Sequence, residues 1–189
     1  MSILVADVIS RVRDGINDLS GTRIGDDRIR RALSDSLDIA ATILPQLFTE
    51  TNSHNCSVGV FQLLSFERAI RFIEVLGYPH GDFKALDAFR PGWINDDEAT
   101  IQMWSEDATD PMMFLVYPPS PGGQALSVTY VKAPAEVTTS DTSLSLPDNL
   151  LAPLVSYCIG VIESADDEHT NSNRAAQAKA EFVALLKGV

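Results

Sequence analysis

The residues best suited to chemistry in this chain are acidic and crowded. Asp166, Asp167, Glu168 and His169 follow one another, as do Asp96, Asp97 and Glu98. Carboxylates and imidazoles ligate divalent metals or relay protons, but both tasks need side chains that converge on one point. Four consecutive residues on a helix or loop point in different directions, so the first run reads as a solvated stretch between helices. The second is an oxygen-rich loop of the kind that holds calcium elsewhere, without EF-hand spacing. His54 and His80 have no Cys or His at ligand spacing. Cys56 and Cys158 lie far apart and form neither a disulfide framework nor a metal site, and Cys158 sits in an apolar helix as a small buried hydrophobe. No GxSxG sequence marks a nucleophile elbow, and no glycine-rich loop precedes a helix to cradle phosphate. Ser, His and Asp residues occur without a spacing that would assemble a triad. The chain is therefore expected not to be an enzyme and to carry no cofactor or metal.

Composition narrows the partners. The 189 residues suit one domain, or a core with an inserted subdomain, large enough to bury a real core. There are 26 acidic against 14 basic residues, a formal charge of -12, which argues against gripping nucleic acid or anionic lipid, since phosphate contacts need clustered Lys and Arg. Arg28, Arg30 and Arg31 do cluster, but Asp26, Asp27 and Asp35 lie beside them, so they read as surface ion pairs or subunit contacts. The N-terminus lacks the basic lead of a secretory signal. The longest apolar stretch, Leu150 to Ile162, contains Pro153 and falls short of the roughly 20 residues a membrane helix needs. A soluble protein made in a cytoplasm, with no membrane partner, is expected.

Periodicity supplies the elements. Val5, Val8, Val12, Ile16 and Leu19 recur at helical spacing, and so do Ile29, Leu33, Leu37, Ala40, Leu44 and Leu47, with Asp26 as the expected N-cap of the second helix. Val58, Val60 and Gln62 alternate as in a strand, and two strands are expected between Cys56 and Leu76. Lys84 to Met103 reads as loop with a short helix or strand, and Trp93 and Trp104 as core anchors. Met112 to Tyr117 is an almost wholly apolar strand, whereas Leu126, Val128 and Tyr130 alternate with Ser127 and Thr129. PPSPGG between them predicts a hairpin whose strands stop at the prolines, which cannot donate to a ladder. Thr138 to Ser145 reads as an exposed connector. Asp148 is placed to cap a helix with Leu151, Leu154, Val155, Cys158, Ile159 and Ile162 on one side. Ala175, Ala178, Phe182, Leu185 and Val189 then complete an antiparallel helix hairpin. The fold class is α+β: a helical bundle from N- and C-terminal helices with a small central antiparallel β-sheet and hairpin subdomain. One domain, 1–189, is expected, with N-terminal helices at 1–50, a β-rich insertion at 51–147 and a helix hairpin at 148–189.

The order of pieces, together with Pro91 to Trp93, the run DPMMFLVYPP, the segment YVKAP, LPDNLLAPLVSYCIGVIESADDEH and the closing NSNRAAQAKAEFVALL, resembles the head-to-tail adaptor (connector) proteins of tailed bacteriophages. The resemblance implies a structural virion protein of the neck: a homo-oligomeric ring of about twelve copies that docks on the portal ring and receives a tail or nozzle protein. DNA would pass through the ring without specific binding, along a channel kept non-adhesive by like charge. The resemblance points to two partner contacts, the hairpin tip Ser120, Pro121, Gly122 and Gly123, and the C-terminal residues Leu186, Lys187 and Val189. A tail-completion or stopper protein of the neck, a monomeric acidic binding module, and a small hydrolase with a carboxylate pair remain the alternatives.

Overall fold

A computed structural model describes residues 2–96, 100–164 and 172–188, so the Asp166 to His169 run, Asp97, Glu98 and Val189 lie outside the described residues. The chain divides into two compact units, one built from Met1–Leu47 with Pro134–Val189 and the other from Phe48–Ala133. The fold is α+β, with every described strand pair antiparallel.

The first unit is helical. Strand β1 (Ile3–Leu4) leads into α1 (Val5–Gly15), and α2 (Asp26–Ile43) follows. Val5, Val8, Val12, Ile29, Leu33, Leu37 and Ala40 are buried as their spacing requires, whereas Leu19 lies beyond α1 and is 72% exposed. The α1–α2 connection is fixed by the buried Asp18, whose carboxylate accepts from the Ile24 N–H at 2.9 Å and pairs with Arg13 at 3.6 Å. These backbone N–H groups, led by Ile24, hold the Asp18 carboxyl below the usual range. Gly25, not Asp26, occupies the N-cap of α2, and Asp26 instead pairs with Arg13 from the first turn. Residues 134–147 run with this unit rather than with the β-rich segment, and β8 (Ser143–Leu144) within them pairs with β1.

At the C-terminal end Pro147 precedes a 3-10 turn at Asp148–Leu150, and Asp148 makes no capping bond. Helix α4 (Leu151–Ser164) begins directly after, with Pro153 inside its first turn where no helical N–H is lost. Helix α5 (Ser172–Lys187) packs antiparallel to it: Gly160 lies against Ala175 and Ala178, and Tyr157 meets Phe182 with ring centroids 4.8 Å apart. A Cβ on Gly160 would sit 3.1 Å from the Ala175 carbonyl, so glycine is what lets these backbones approach. Cys158, fully buried here, has its thiol pKa pushed up to about 12 by burial. Leu186 rather than Leu185 completes the buried stripe.

The second unit is a small sandwich. One sheet has the order β2 (Thr49–Asn55), β7 (Ala125–Lys132), β4 (Ala69–Val75); the other has β3 (Gly59–Leu63), β6 (Met113–Ser120), β5 (Met103–Glu106). Phe72, Trp104, Phe114, Val116, Leu126, Val128 and Tyr130 fill the space between them, with Phe72 and Phe114 stacked at 4.6 Å. The expected hairpin is absent, because β6 and β7 follow one another in sequence but enter different sheets. Nor does β6 stop at Tyr117. It runs to Ser120 through a register shift in which Phe61 faces Leu115 and Gly59 faces Ser120, and Pro118 and Pro119 fall within that interruption, where no ladder N–H is demanded. The fully buried Gln62 pins this irregularity: its side-chain oxygen accepts from the Ser57 N–H at 2.8 Å, and its amide donates to the Gly59 carbonyl at 3.0 Å. A short helix, α3 (Phe83–Phe89), and a 3-10 turn at Trp93–Asn95 cover part of the outer face of the second sheet through Trp93, Val60 and Tyr117. Trp93 and Trp104 are both buried, as the sequence suggests.

Candidate partner-binding surfaces

The connection after β6 is a tight, hydrogen-bonded bend. Gly122 and Gly123 both have positive φ, 95° and 76°, a region side-chain-bearing residues rarely adopt. Ser120 is buried, and its hydroxyl accepts from the Gly122 N–H at 3.0 Å, so this side chain builds the turn from inside. The Gly123 N–H donates to the Cys56 carbonyl at 2.8 Å, tying the bend to the end of β2. Pro121 and Gly123 are exposed and Gly122 is half-buried. At the other sequence-derived contact, Leu186 is fully buried within its own unit and offers no side chain to a partner, whereas Lys187 is exposed.

Sequence reasoning missed two features of the sandwich. The outer side of edge strand β3 carries Phe61 and Leu63, 52% and 56% exposed, with Val58 just before it at 78%. The alternation seen in the sequence is real, with Val60 and Gln62 buried, but the exposed side chains between them are apolar too. Its signal was the absence of any charged residue from Cys56 to Ser65. Edge strands are normally guarded by charge or proline. Edge strand β2, TETNSHN, is polar almost throughout, and its Glu50 pairs with Lys132 at 2.7 Å.

The second feature lies at the opposite edge of the sandwich, where β4 and β5 leave a cleft of about 570 Å³. Phe72, Trp104 and Met113 contribute apolar lining, and Arg71, His80 and Glu106 contribute charge or polarity. The His80 ring lies 2.6 Å from a Glu106 oxygen and edge-on to Trp104, with centroids 5.0 Å apart. A backbone hydrogen bond, and then the His80 ring, hold the Glu106 carboxyl below its ordinary pKa. The ionised Glu106 carboxylate thus lies beside an exposed imidazole, and Asp107 and Thr109 also line the cleft. Elsewhere, buried His54 packs edge-on against Phe114 at 5.4 Å, and burial lowers its pKa. Of the three clustered arginines, Arg30 pairs with Asp27 on the same helix.

Among the described residues, no three or more His, Cys, Asp or Glu side chains come together to hold a metal ion. None of the described helices is long and apolar enough to cross a membrane. Among the described residues the sandwich thus carries a hydrogen-bonded bend, an apolar strand edge and a mixed cleft. No curated protein sequence matches the chain. The model of one family, described as SU10 adaptor protein, matches residues 3–189, in keeping with the resemblance to phage head-to-tail adaptors. The chain belongs to the SU10 adaptor protein family, a family of structural proteins of bacteriophages.

Proposed function

We propose that copies of this chain form a ring between the portal and the tail of a phage particle, and that DNA passes through the ring without specific binding. The observation that carries the reading is the family match, which spans residues 3–189. Function of this kind is binding and geometry: many modest interfaces, closed around a symmetry axis, give an assembly far more stable than any one contact. The surplus of 26 acidic over 14 basic residues supports a channel wall that repels duplex DNA, an effect that added salt screens beyond about 10 Å. The exposed bend at Pro121 and Gly123, and the end of α5 around Lys187, are the candidate contacts with portal, tail or nozzle protein. Images of the portal ring encoded in the same genome, with and without this chain, test the reading: an added layer of regularly spaced subunits on one face of the portal supports it. A portal that stays bare at micromolar concentrations of the chain overturns it.

A further inference from the structure

An edge strand is held by its one neighbour and by the side chains it buries, and β2 buries a single one. Of the seven residues Thr49–Asn55, only His54 is buried, at 7% exposure. The strand lies at the edge of its sheet and is bonded on one side alone, to β7, where His54 faces Leu126. The imidazole stands edge-on to Phe66 and Phe114, with ring centroids 6.1 and 5.4 Å away. Its Nε2 has no hydrogen-bond partner among the described residues, so a proton added there meets no acceptor. Burying a charge without a partner costs far more than burying a neutral ring. The elements packed round the ring do not supply one. β3 and β6 carry no charged residue, Glu67 beside Phe66 is exposed, and Glu50 and Lys132 of the β2–β7 pair bind each other at 2.7 Å. The Tyr130 hydroxyl donates to that same Glu50.

We propose that His54 is an acid-sensitive latch, whose protonation releases β2 from β7 while the rest of the sandwich and the helical unit stay folded. The latch is independent of the ring reading, and its ligand is the proton. Neutral, the ring fills its place against Phe66 and Phe114 as a flat, largely apolar body. Charged, it regains water either by unfolding the sandwich or by swinging out with its own strand. The second is the smaller step, because β2 has no other buried side chain to withdraw and no second strand to leave. The other partner of β7 differs: β4 sets Phe72 and Val75 into the core between the sheets, which holds it in place. Burial lowers the His54 pKa in the closed strand, and a hydrogen bond with Gln62 offsets part of that. In the released strand the ring titrates near pH 6.5. Opening therefore takes up a proton, and it is favoured increasingly as pH falls below about 6.5 until the closed pKa is reached. Neighbouring groups do not change charge over that interval. The Lys132 ammonium holds Glu50 below the usual carboxylate range, and burial pushes the Cys56 thiol up.

Amide hydrogen exchange of the full chain, resolved by segment and measured from pH 7.5 to 5.5, reads the latch. After correction for the intrinsic pH dependence of exchange, the opening constant of Thr49–Asn55 is expected to rise by up to roughly tenfold per pH unit below about 6.5. Those of β4, Ala69–Val75, and α2, Asp26–Ile43, are expected to stay flat. His54→Gln, which takes up no proton, is expected to abolish the rise in β2. Comparison of segments within the unsubstituted chain decides the matter even where that variant folds poorly. Parallel loss of protection in β2 and β4 would mean that the sandwich opens as a whole, and would overturn the proposal. So would a β2 opening constant indifferent to pH, or a rise that survives His54→Gln.

Discussion

The two units of this protein solve opposite problems. In the helical unit the apolar stripes of α1, α2, α4 and α5 find one another, and Leu33, Leu37, Leu150, Leu154, Ile162 and Phe182 are essentially removed from solvent. The sandwich buries its own centre as well, but leaves Val58, Phe61, Leu63, Phe89 and Ile94 at least half exposed, against Leu19 among the described residues of the helical unit. A unit that closes on itself is suited to holding shape. One that leaves apolar surface uncovered is suited to being completed by another molecule. Phe61 and Leu63 lie uncovered on an edge strand, which has unspent backbone groups, whereas a helix has none along its length.

Two central aromatic residues distinguish the units most strongly. Phe182→Ala removes a buried ring from the helical unit and Phe114→Ala one from the sandwich, each at an expected cost of about 3–5 kcal/mol. Native thiols report each unit separately, because Cys158 lies in the first and Cys56 in the second, and burial raises both thiol pKa values. Phe182→Ala is expected to speed labelling of Cys158 well beyond that of Cys56, and Phe114→Ala the reverse. Equal acceleration of both cysteines by either variant would show that the units open together and remove the contrast.

A smaller effect is expected at Gly160. Valine there must push against the Ala175 carbonyl and the Ala178 methyl, each 3.1 Å from its Cβ, and overpacking of this kind costs about 1–3 kcal/mol. Thermal unfolding followed by circular dichroism checks it, and an unchanged midpoint would mean that α5 shifts freely along α4.

Acid separates the units next. His54 is buried in the sandwich, and its pKa is lowered by desolvation and partly restored by a hydrogen bond with Gln62. Unfolded, the ring takes up a proton near pH 6.5, whereas folded it resists protonation until lower pH. The unfolded state therefore binds more protons as pH falls below about 6.5, and the sandwich loses up to about 1.4 kcal/mol per pH unit until the folded pKa is reached. Midpoints of unfolding measured from pH 7.5 to 5.5 are expected to fall, and His54→Gln to flatten that slope. The smallest effect belongs to the surface: Asp27→Asn, which breaks the exposed pair with Arg30, is expected to change stability by no more than about 0.5 kcal/mol.

Legibility in the sequence followed the range of the contacts. Helix positions were readable because their pattern is local: Val5, Val8, Val12, Ile29, Leu33 and Leu37 are buried as spacing dictates. Caps were less readable, since Gly25 and Pro147 take the positions expected for Asp26 and Asp148, and both aspartates sit one residue inside. Strand pairing was not readable at all. Met113–Ser120 and Ala125–Lys132 are neighbours in sequence with a turn between them, yet their partners are β3 and β5 for one and β2 and β4 for the other. Turn chemistry is compatible with a bend from sheet to sheet as well as with a hairpin, and the choice depends on distant strands. Of the residues expected to make partner contacts, the bend was visible from PPSPGG, but Ser120 and Leu186 proved to be buried. The β4–β5 cleft joins residues 71 and 113 across the sandwich, which no local pattern encodes.

Assembly of this chain as a ring on a portal is the proposal on which the functional reading stands. Its most direct test is the mass of the complex formed when the purified chain is mixed with the portal ring from the same genome, the chain alone serving as control. A discrete complex that adds about twelve copies of a 20.5 kDa chain is the expected result. Unchanged masses for portal and chain at micromolar concentrations would contradict the claim.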